Sequence, residues 1–253
     1  MASAIYPDLK DKVVLITGGA SGIGEALVRA FAGQGSKVGF LDIDADAGRR
    51  VAEELATEGA AVCFERVDLR DAGALREAVG SVRNALGPIG VLVNSAANDE
   101  RHPAEEVTPD YFDDRIAVNF KHQFFASQAV LPDMKALGGG SIICMGSISW
   151  MAGFGGMALY TASKSAVLGL VRSLARDYGP YNIRVNSIAS GWIMTERQLS
   201  LWLTPESDAM REERQCLKRR LYPQDIAKVA LFLASDEAGA ITNQSYVVDG
   251  GWV

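Results

Sequence analysis

The chain of 253 residues carries a formal net charge of −6, and 48% of its residues are hydrophobic and 22% charged. This length and composition are typical of one globular domain with a sizeable core, and they exclude an intrinsically disordered chain. The acidic balance leaves no basic surface for phosphate groups, so neither nucleic acid nor an anionic membrane is an expected partner.

The N-terminal residues 1–12 lack the long apolar run of a secretory signal, and no later apolar stretch is long enough to span a membrane. We therefore expect a cytoplasmic protein. Cys63, Cys144 and Cys216 are odd in number, widely spaced and without a C-x-x-C pair, a pattern typical of reduced thiols. The two histidines form no ligand cluster with them, so no metal site is expected.

Along the chain, short apolar runs rich in valine and isoleucine alternate with segments of helical periodicity, which is typical of βαβ units. The predicted fold class is α/β, a doubly wound, seven-stranded parallel sheet of the Rossmann type with helices on both faces. A single domain is expected to cover residues 1–253. The predicted strands lie at 12–17, 37–42, 61–67, 89–94, 141–147, 183–188 and 245–248.

The first predicted strand leads into a glycine-rich turn, T-G-G-A-S-G-I-G at residues 17–24, and then into an amphipathic helix. Glycine lets the backbone approach a pyrophosphate, and the helix N-terminus offers free N–H groups and a positive dipole end. A flexible turn is the alternative, but the position between strand and helix favours a dinucleotide site. The cofactor contacts expected here are Gly18, Ser21, Gly22, Ile23 and Gly24.

The second predicted strand ends at Asp42, about 20 residues after the turn, where an acidic side chain accepts hydrogen bonds from the adenosine ribose. A 2′-phosphate would face this carboxylate, so the expected cofactor is NAD. Neither Ser21 nor Ile43, which flank the pocket, supplies a compensating cation, and Ile43 is a further expected contact. The alternative is that Asp42 only caps the strand end.

The turn has the T-G-x-x-x-G-x-G form of the short-chain dehydrogenase/reductase family, and the chain resembles that family along nearly its whole length. Asp68-Leu69, after the third strand, resembles the family's adenine contact. Residues 94–97, N-S-A-A, stand in the place of its N-N-A-G motif, where only the first and third residues match. The resemblance implies cofactor contacts from Asp68, Leu69, Asn94 and Ala96.

Tyr160 and Lys164 are four residues apart and therefore share one face of a predicted helix. A nearby positive charge stabilises a phenolate and lowers the tyrosine pKa from its usual value of ~10. At this spacing alone a solvated surface pair is the alternative. The family resemblance favours catalysis instead, because Ser147 and Asn119 stand where the family has its catalytic serine and asparagine.

The resemblance implies a role for each of these four residues. Ser147 holds the substrate oxygen, and Tyr160 exchanges the proton as general base. Lys164 binds the nicotinamide ribose and lowers the pKa of Tyr160, while Asn119 holds a water relay. The division suits the chemistry, because hydride transfer belongs to the cofactor and the protein has to move the proton. Tyr160 and Lys164 thus count as cofactor contacts as well.

After the sixth strand, residues 186–195 resemble the family segment that contacts the nicotinamide carboxamide, with Ser190 in the place of the usual proline. A long insertion, residues 191–222, separates this strand from the next helix. Connections of such length are typically lids or binding loops, so a substrate lid is expected there. The implied cofactor contacts in this segment are Gly191, Ile193 and Thr195.

The loops around the predicted catalytic residues favour a small polyol as substrate. Trp150, Trp192 and Trp202 could cover the C–H faces of a sugar, with polar side chains for its hydroxyls, although lid packing would explain them as well. Residues 98–102 and 146–150 resemble the aldose 1-dehydrogenases of the family, among them bacterial D-xylose dehydrogenases. Expected substrate contacts are Asn98, Ser147, Ser149, Trp150, Tyr160, Trp192, Arg197 and Trp202.

This second resemblance implies NAD-dependent oxidation of a monosaccharide at C1 to an aldonolactone, by a homotetramer. It favours no one sugar among D-xylose, L-arabinose, D-galactose and L-fucose. One alternative is a family member that acts on a non-sugar secondary alcohol or ketone, against which the tryptophans and Asp42 count. The other is a non-catalytic NAD-binding protein, against which intact Ser147, Tyr160 and Lys164 count.

Overall fold

The computed structural model describes residues 4–253 and contains seven strands and nine α-helices within that range. All strand pairs are parallel, and the strands lie side by side in the order β3-β2-β1-β4-β5-β6-β7. The strands are β1 (Val13–Thr17), β2 (Lys37–Asp42), β3 (Val62–Arg66), β4 (Ile89–Asn94), β5 (Gly140–Ser147), β6 (Ile183–Ser190) and β7 (Ser245–Val248).

The helices cover both faces of the sheet. Helices α1, α2 and α9 bury their apolar residues in the core on one face, and α3, α5 and α6 do so on the other. The helices are α1 (Gly22–Ala32), α2 (Ala45–Thr57), α3 (Ala72–Leu86), α4 (Pro109–Ile116), α5 (His122–Leu137), α6 (Ala158–Tyr178), α7 (Glu196–Leu201), α8 (Pro205–Arg214) and α9 (Pro223–Ala234).

The central strands are buried along their whole length, which explains why their sequences are continuous apolar runs rather than alternating ones. Every residue of β1 is buried, and β5 is buried beyond its first residue. The edge strand β7 instead alternates between exposed and half-buried positions. The chain crosses from the edge strand β3 back to the middle of the sheet before β4, and the two halves of the fold meet between β1 and β4.

The predicted single α/β domain and its seven strands are confirmed, with small differences at strand ends. Strand β6 continues to Ser190, which pairs with Ser147 on one side and Val248 on the other. Serine keeps the backbone N–H that proline lacks, and it therefore allows the ladder to continue to this position.

Helices α4 and α5 are joined without a loop through one π-helical turn, Ala117–Lys121. Asn119 lies fully buried at the centre of this turn rather than on an ordinary α-helix. Such single π turns are rare and are frequent at functional sites, because the extra residue reorients the side chains beside it.

Two further findings concern membrane-spanning helices and metal-binding side chains. Within residues 4–253, no helix combines the length and the apolar character needed to cross a membrane. The same residues hold no group of three or more histidine, cysteine or carboxylate side chains arranged to bind a metal ion.

Candidate active site and dinucleotide cleft

A large cleft of about 1170 Å³ opens at the carboxyl ends of the strands. It is lined by the turn after β1, by the loops after β2, β3, β4, β5 and β6, by α7 and by the penultimate residue Trp252. In doubly wound sheets, ligands bind at this edge, where the chain changes direction between two neighbouring strands. Here that point lies between β1 and β4.

The glycine-rich turn is packed so tightly that side chains are excluded from it. A Cβ on Gly24 would lie 1.7 Å from the Gly18 carbonyl oxygen, and a Cβ on Gly18 would lie 2.6 Å from Ala96 Cα. Gly18 and Gly22 have φ angles of 70° and 55°, which favour glycine. The first-turn N–H groups of α1, which have no partner inside the helix, belong to residues that line the cleft. This cradle fits a pyrophosphate.

Asp42 lies against the glycine-rich turn at the end of β2. Its carboxylate accepts hydrogen bonds from Ala20 N at 3.0 Å and from Asp44 N at 3.1 Å. Ile43 beside it is exposed on the cleft wall. The carboxylate is thus held in place by backbone donors.

Arg50, on α2, also lines this end of the cleft, and sequence analysis missed it. Its guanidinium group is paired with Glu25 at 3.1 Å and with Glu54 at 3.2 Å. The only signal in the sequence is its place on the helix after Asp42, which does not reveal that the side chain turns toward the cleft. Glu25 and Glu54 also pair with Arg29, so the two carboxylates are shared between two guanidinium groups.

The predicted contacts on the loops after β3 and β4 divide into surface and buried positions. Asp68, Leu69 and Ala96 line the cleft, and the Asp68 carboxylate is paired with Arg70 at 2.6 Å. Asn94 lies beneath the cleft surface, and its Nδ2 faces Gln123 O at 3.4 Å. Asn94 therefore supports the loop from below.

Tyr160 and Ser147 lie on the same wall of the cleft. Lys164 is buried behind them, with its Nζ 5.6 Å from the centroid of the Tyr160 ring. The Lys164 Nζ donates a hydrogen bond of 2.8 Å to Met145 O. The structure therefore brings the phenol and the amine to one side of α6, beside the carboxyl end of β5.

Burial dominates the protonation of these two groups. Although Tyr160 reaches the cleft, desolvation raises its pKa to about 12; the charge of Asp99 acts in the same direction, and Ser147 and Arg101 oppose it. Desolvation also lowers the pKa of Lys164 to about 8. The sequence predicted a lowered pKa for Tyr160, whereas in this structure the pKa is raised. The reason is that the cost of burying a phenolate exceeds the attraction of nearby cations.

The Asn119 side chain fastens the loop after β4. Its Oδ1 accepts a hydrogen bond from Asn98 N at 2.8 Å, and its Nδ2 donates to Asn98 O and to Arg115 O, both at 3.0 Å. Asn119 itself does not line the cleft. The π turn therefore places an amide where it fixes the backbone of a residue that does, and the implied water relay stays a prediction.

Most of the predicted substrate contacts lie on the cleft wall. The exception is Trp150, which is 37% exposed and does not belong to the lining. It ends the short 3₁₀ turn, Ile148–Trp150, that directly follows the lining residue Ser147. The predicted contacts found in the lining are Asn98, Ser147, Ser149, Tyr160, Trp192, Arg197 and Trp202.

The C-terminus supplies a cleft residue that sequence analysis missed, Trp252. Its ring packs edge-to-face on Phe154, with centroids 5.8 Å apart. The Asp249 carboxylate accepts hydrogen bonds from Gly251 N, Trp252 N and Val253 N at 2.7, 3.0 and 2.9 Å, which turns the chain end back toward the cleft. A tryptophan near a chain end carries no signal of such a turn by itself.

Comparison with known proteins places the chain among dehydrogenases. The family model described as enoyl-(acyl carrier protein) reductase matches residues 18–253. A probable galactose dehydrogenase of Rhizobium meliloti is 47% identical over 252 residues, which cover 99% of this chain and 98% of that protein. A D-xylose 1-dehydrogenase of Caulobacter vibrioides is 46% identical over 252 residues, which cover 100% of both.

Solved structures agree with this placement. A short-chain dehydrogenase/reductase from Serratia marcescens matches with a TM-score of 0.89 at 35% identity, covering 97% of this chain and 99% of that one. A blue fluorescent protein from a metagenomic library, solved in complex with NADPH, matches with a TM-score of 0.89 at 33% identity and the same coverage.

Proposed function

The chain belongs to the short-chain dehydrogenase/reductase family of oxidoreductases, and from this premise we propose that it oxidises a monosaccharide at C1 to an aldonolactone, with NAD⁺ as the hydride acceptor. One observation carries the proposal. Tyr160 and Ser147 share a cleft with the glycine-rich turn and Asp42, so that a proton acceptor and a dinucleotide site open onto the same space. The names of the two relatives support an aldose as substrate.

Asp42 supports NAD rather than NADP. A carboxylate held by two backbone N–H groups can accept hydrogen bonds from ribose hydroxyls without further rearrangement, whereas a 2′-phosphate would place like charges together. The nearby Arg50 is already paired with Glu25 and Glu54, so a contact between Arg50 and a 2′-phosphate would compete with these ion pairs.

In the proposed reaction, Tyr160 takes the proton of the C1 hydroxyl and Ser147 holds the oxygen. Since the pKa of Tyr160 is about 12, the phenol is protonated at neutral pH, and additional positive charge is needed to make it a base. NAD⁺ supplies the hydride acceptor and a positively charged ring. Lys164, with a pKa of about 8, still carries its proton in most molecules at neutral pH and adds to the positive charge.

The other predicted contacts form part of the same proposal. The turn after β1 holds the pyrophosphate, the loop after β3 holds the adenine, and the segment after β6 holds the carboxamide. Residues 191–222 act as the substrate lid, whose two ends are joined by a hydrogen bond of 2.8 Å from Met194 N to Leu221 O. With the loop after β4, these segments contribute Gly18, Ser21, Gly22, Ile23, Gly24, Asp68, Leu69, Ala96, Gly191, Ile193 and Thr195. Asn94 acts from beneath the cleft surface, where it supports the loop after β4.

A homotetramer is also part of the proposal. Strand β7 at the sheet edge and the chain end that follows it carry exposed apolar side chains, with Val247 43% and Val253 54% exposed. An exposed edge strand with apolar residues favours pairing with another chain. Light scattering coupled to size-exclusion chromatography is expected to give the mass of four chains, and the mass of one chain would exclude this part.

The activity is tested with a panel of aldoses and NAD⁺, read as NADH absorbance, with the product identified as lactone. We expect reduction of NAD⁺ with at least one aldopyranose, and a preference for NAD⁺ over NADP⁺. If no sugar reduces NAD⁺ while ketones oxidise NADH, the substrate class is wrong and the protein is a reductase of the same family. A preference for NADP⁺ would contradict the role given to Asp42.

A further inference from the structure

Two segments that are far apart in the sequence meet over the substrate end of the cleft. Gln198 links them, because its Nε2 donates a hydrogen bond of 2.6 Å to Asp99 Oδ2 and its Oε1 accepts one of 2.8 Å from Trp192 Nε1. Arg197 adds an ion pair, with Nε 3.1 Å from Asp99 Oδ1. We call Asp99, Trp192, Arg197 and Gln198 the roof latch.

The roof latch connects the short helix α7 to the loop after β4, which is held against the body of the protein. Helix α7 has only six residues, none of them buried, so little apolar packing holds it in place. Asp99 follows Asn98, whose backbone N–H and C=O are both bound by Asn119 in the π turn. The carboxylate is therefore anchored to the body of the protein, and it is the point at which α7 is fastened.

Both oxygens of Asp99 are used, and the carboxylate is shielded, with 17% of the side chain exposed. The Arg197 side chain is 47% exposed, and an ion pair so close to water contributes little. The hydrogen bond from Gln198 is shorter and partly buried, and it leads directly to the indole of Trp192. The hydrogen bonds of Gln198 therefore contribute more to holding α7 in place than the ion pair of Arg197 with Asp99 does.

We propose that Asp99 is a positioning residue that holds α7 over the cleft through Gln198 and Arg197, and so sets the wall against which the substrate is oriented. The nature of that substrate rests on the proposed function. Arg197 lines the cleft, and its two terminal amino groups have no hydrogen-bond partner within residues 4–253. The latch thus directs the Arg197 guanidinium toward substrate hydroxyls.

A second consequence concerns Tyr160. The negative charge of Asp99 raises the pKa of this phenol, while Arg101 in the same loop and Ser147 lower it. Removal of the Asp99 charge is therefore expected to lower the pKa of Tyr160. A residue with a purely structural role in α7 would not have this effect.

The test compares three variants of the full-length protein. Asp99→Asn removes the charge and the ion pair, and Gln198→Leu breaks the bridge to Trp192 while the Asp99 carboxylate remains. The matched control is Glu100→Gln, which removes one charge at the adjacent, exposed residue. Glu100 lies outside the cleft lining, although its partner Arg115 belongs to it.

The first readout is amide hydrogen exchange in residues 196–202 without any substrate. We expect exchange about tenfold faster in Asp99→Asn and Gln198→Leu than in the parent chain, and no change in Glu100→Gln. Unchanged exchange in Asp99→Asn overturns the latch. Equally fast exchange in Glu100→Gln and Asp99→Asn also overturns the latch, because any loss of negative charge in this loop would then be enough to loosen α7.

The second readout is the kinetics with the aldose that the parent chain oxidises. KM is expected to rise about tenfold in both latch variants, with kcat changed less than about threefold. Only Asp99→Asn should move the acid limb of the pH profile to lower pH. If exchange becomes faster but KM is unchanged, Asp99 holds α7 in place but does not help to orient the substrate, and that part of the proposal is overturned.

The two proposals can fail separately. If no aldose reduces NAD⁺ but α7 exchanges faster in both latch variants, the proposed function is wrong and the latch stands. If aldoses are oxidised and exchange is unaffected, the function stands and the latch is wrong.

Discussion

The two ends of the cleft differ in the chemical groups that form their walls. The nucleotide end is made of backbone: glycines in contact with the carbonyl of Gly18, and N–H groups that fix Asp42. The substrate end is made of side chains from distant segments, such as Asp99, Gln198 and Trp252. The geometry of the first is set mainly within the β1-α1-β2 unit, although Gly18 also packs against Ala96, whereas the second depends entirely on contacts between distant segments. Substitutions at the two ends should therefore affect different steps.

Tyr160→Phe gives the largest expected effect, because this residue belongs to the chemistry rather than to either binding end. Loss of the proton acceptor should lower kcat/KM by about 10³-fold, within the range for general base catalysis. The affinity for NADH, measured by fluorescence titration, should stay within about twofold. Near-full activity of this variant would show that Tyr160 is not the base.

Gly24→Ala tests the nucleotide end. Its Cβ would meet the Gly18 carbonyl oxygen at 1.7 Å, and since both partners are backbone the turn itself has to move. We expect NADH affinity to fall about 100-fold and the melting temperature to drop, because overpacking costs ~1–3 kcal/mol before any loss of phosphate contacts. Ala26→Gly in the same helix is a control for helix stability alone. Unaltered NADH binding would contradict the cradle.

The fold and the nucleotide end could be predicted from the sequence because their signals are local. Seven apolar runs gave the strands, and the spacing of Gly18, Gly22 and Gly24 gave the turn. Steric limits on a backbone are the same in every protein, and so a glycine spacing translates directly into geometry.

The substrate end could not be predicted in the same way. Trp150 and Trp192 were equally plausible wall residues, but only Trp192 belongs to the cleft lining, while Trp150 ends the 3₁₀ turn after β5 outside it. Trp252 reaches the cleft because the Asp249 carboxylate turns the chain end back toward it. Such positions depend on which side chains meet after folding, which no local pattern encodes.

The pH dependence sharpens the comparison, because it tests how the substrate end controls the base. The pKa of Tyr160 is raised to about 12, mainly by burial. Oxidation requires the deprotonated form, so the rate at saturating NAD⁺ should rise with pH, by up to about tenfold per unit below the apparent pKa. The limb should disappear in the residual activity of Tyr160→Phe. A rate that is flat between neutral and alkaline pH would contradict this assignment.

The same raised pKa predicts a change in stability. A phenol whose pKa is higher in the folded protein than the ordinary value of ~10 holds its proton where the unfolded chain has lost it. Its contribution is unchanged below pH ~10 and falls as the pH rises from there toward 12. The difference in unfolding free energy between the parent chain and Tyr160→Phe should therefore shift in favour of the variant over that range.

Asp42→Ala tests the choice of cofactor and should spare the substrate end. Loss of the carboxylate removes two ribose acceptors and the repulsion of a 2′-phosphate. We expect NAD⁺ affinity to fall about tenfold and NADP⁺ affinity to rise, while KM for the sugar at saturating cofactor stays the same. If the ratio of the two cofactors does not change, selectivity lies elsewhere, for instance at Arg50.

Trp252→Phe has the smallest expected effect, and it tests whether the chain end belongs to the substrate wall. Phenylalanine keeps an aromatic ring beside Phe154 but leaves a gap where the larger indole was. KM for the preferred sugar should rise about threefold with unchanged NADH affinity, because the gap weakens contacts at the substrate end alone. Trp150→Phe is the matched control, since Trp150 lies outside the lining, and its KM should not change. Equal effects of the two substitutions on KM would mean that loss of an indole acts only through the stability of the protein. Trp252 would then not belong to the substrate wall.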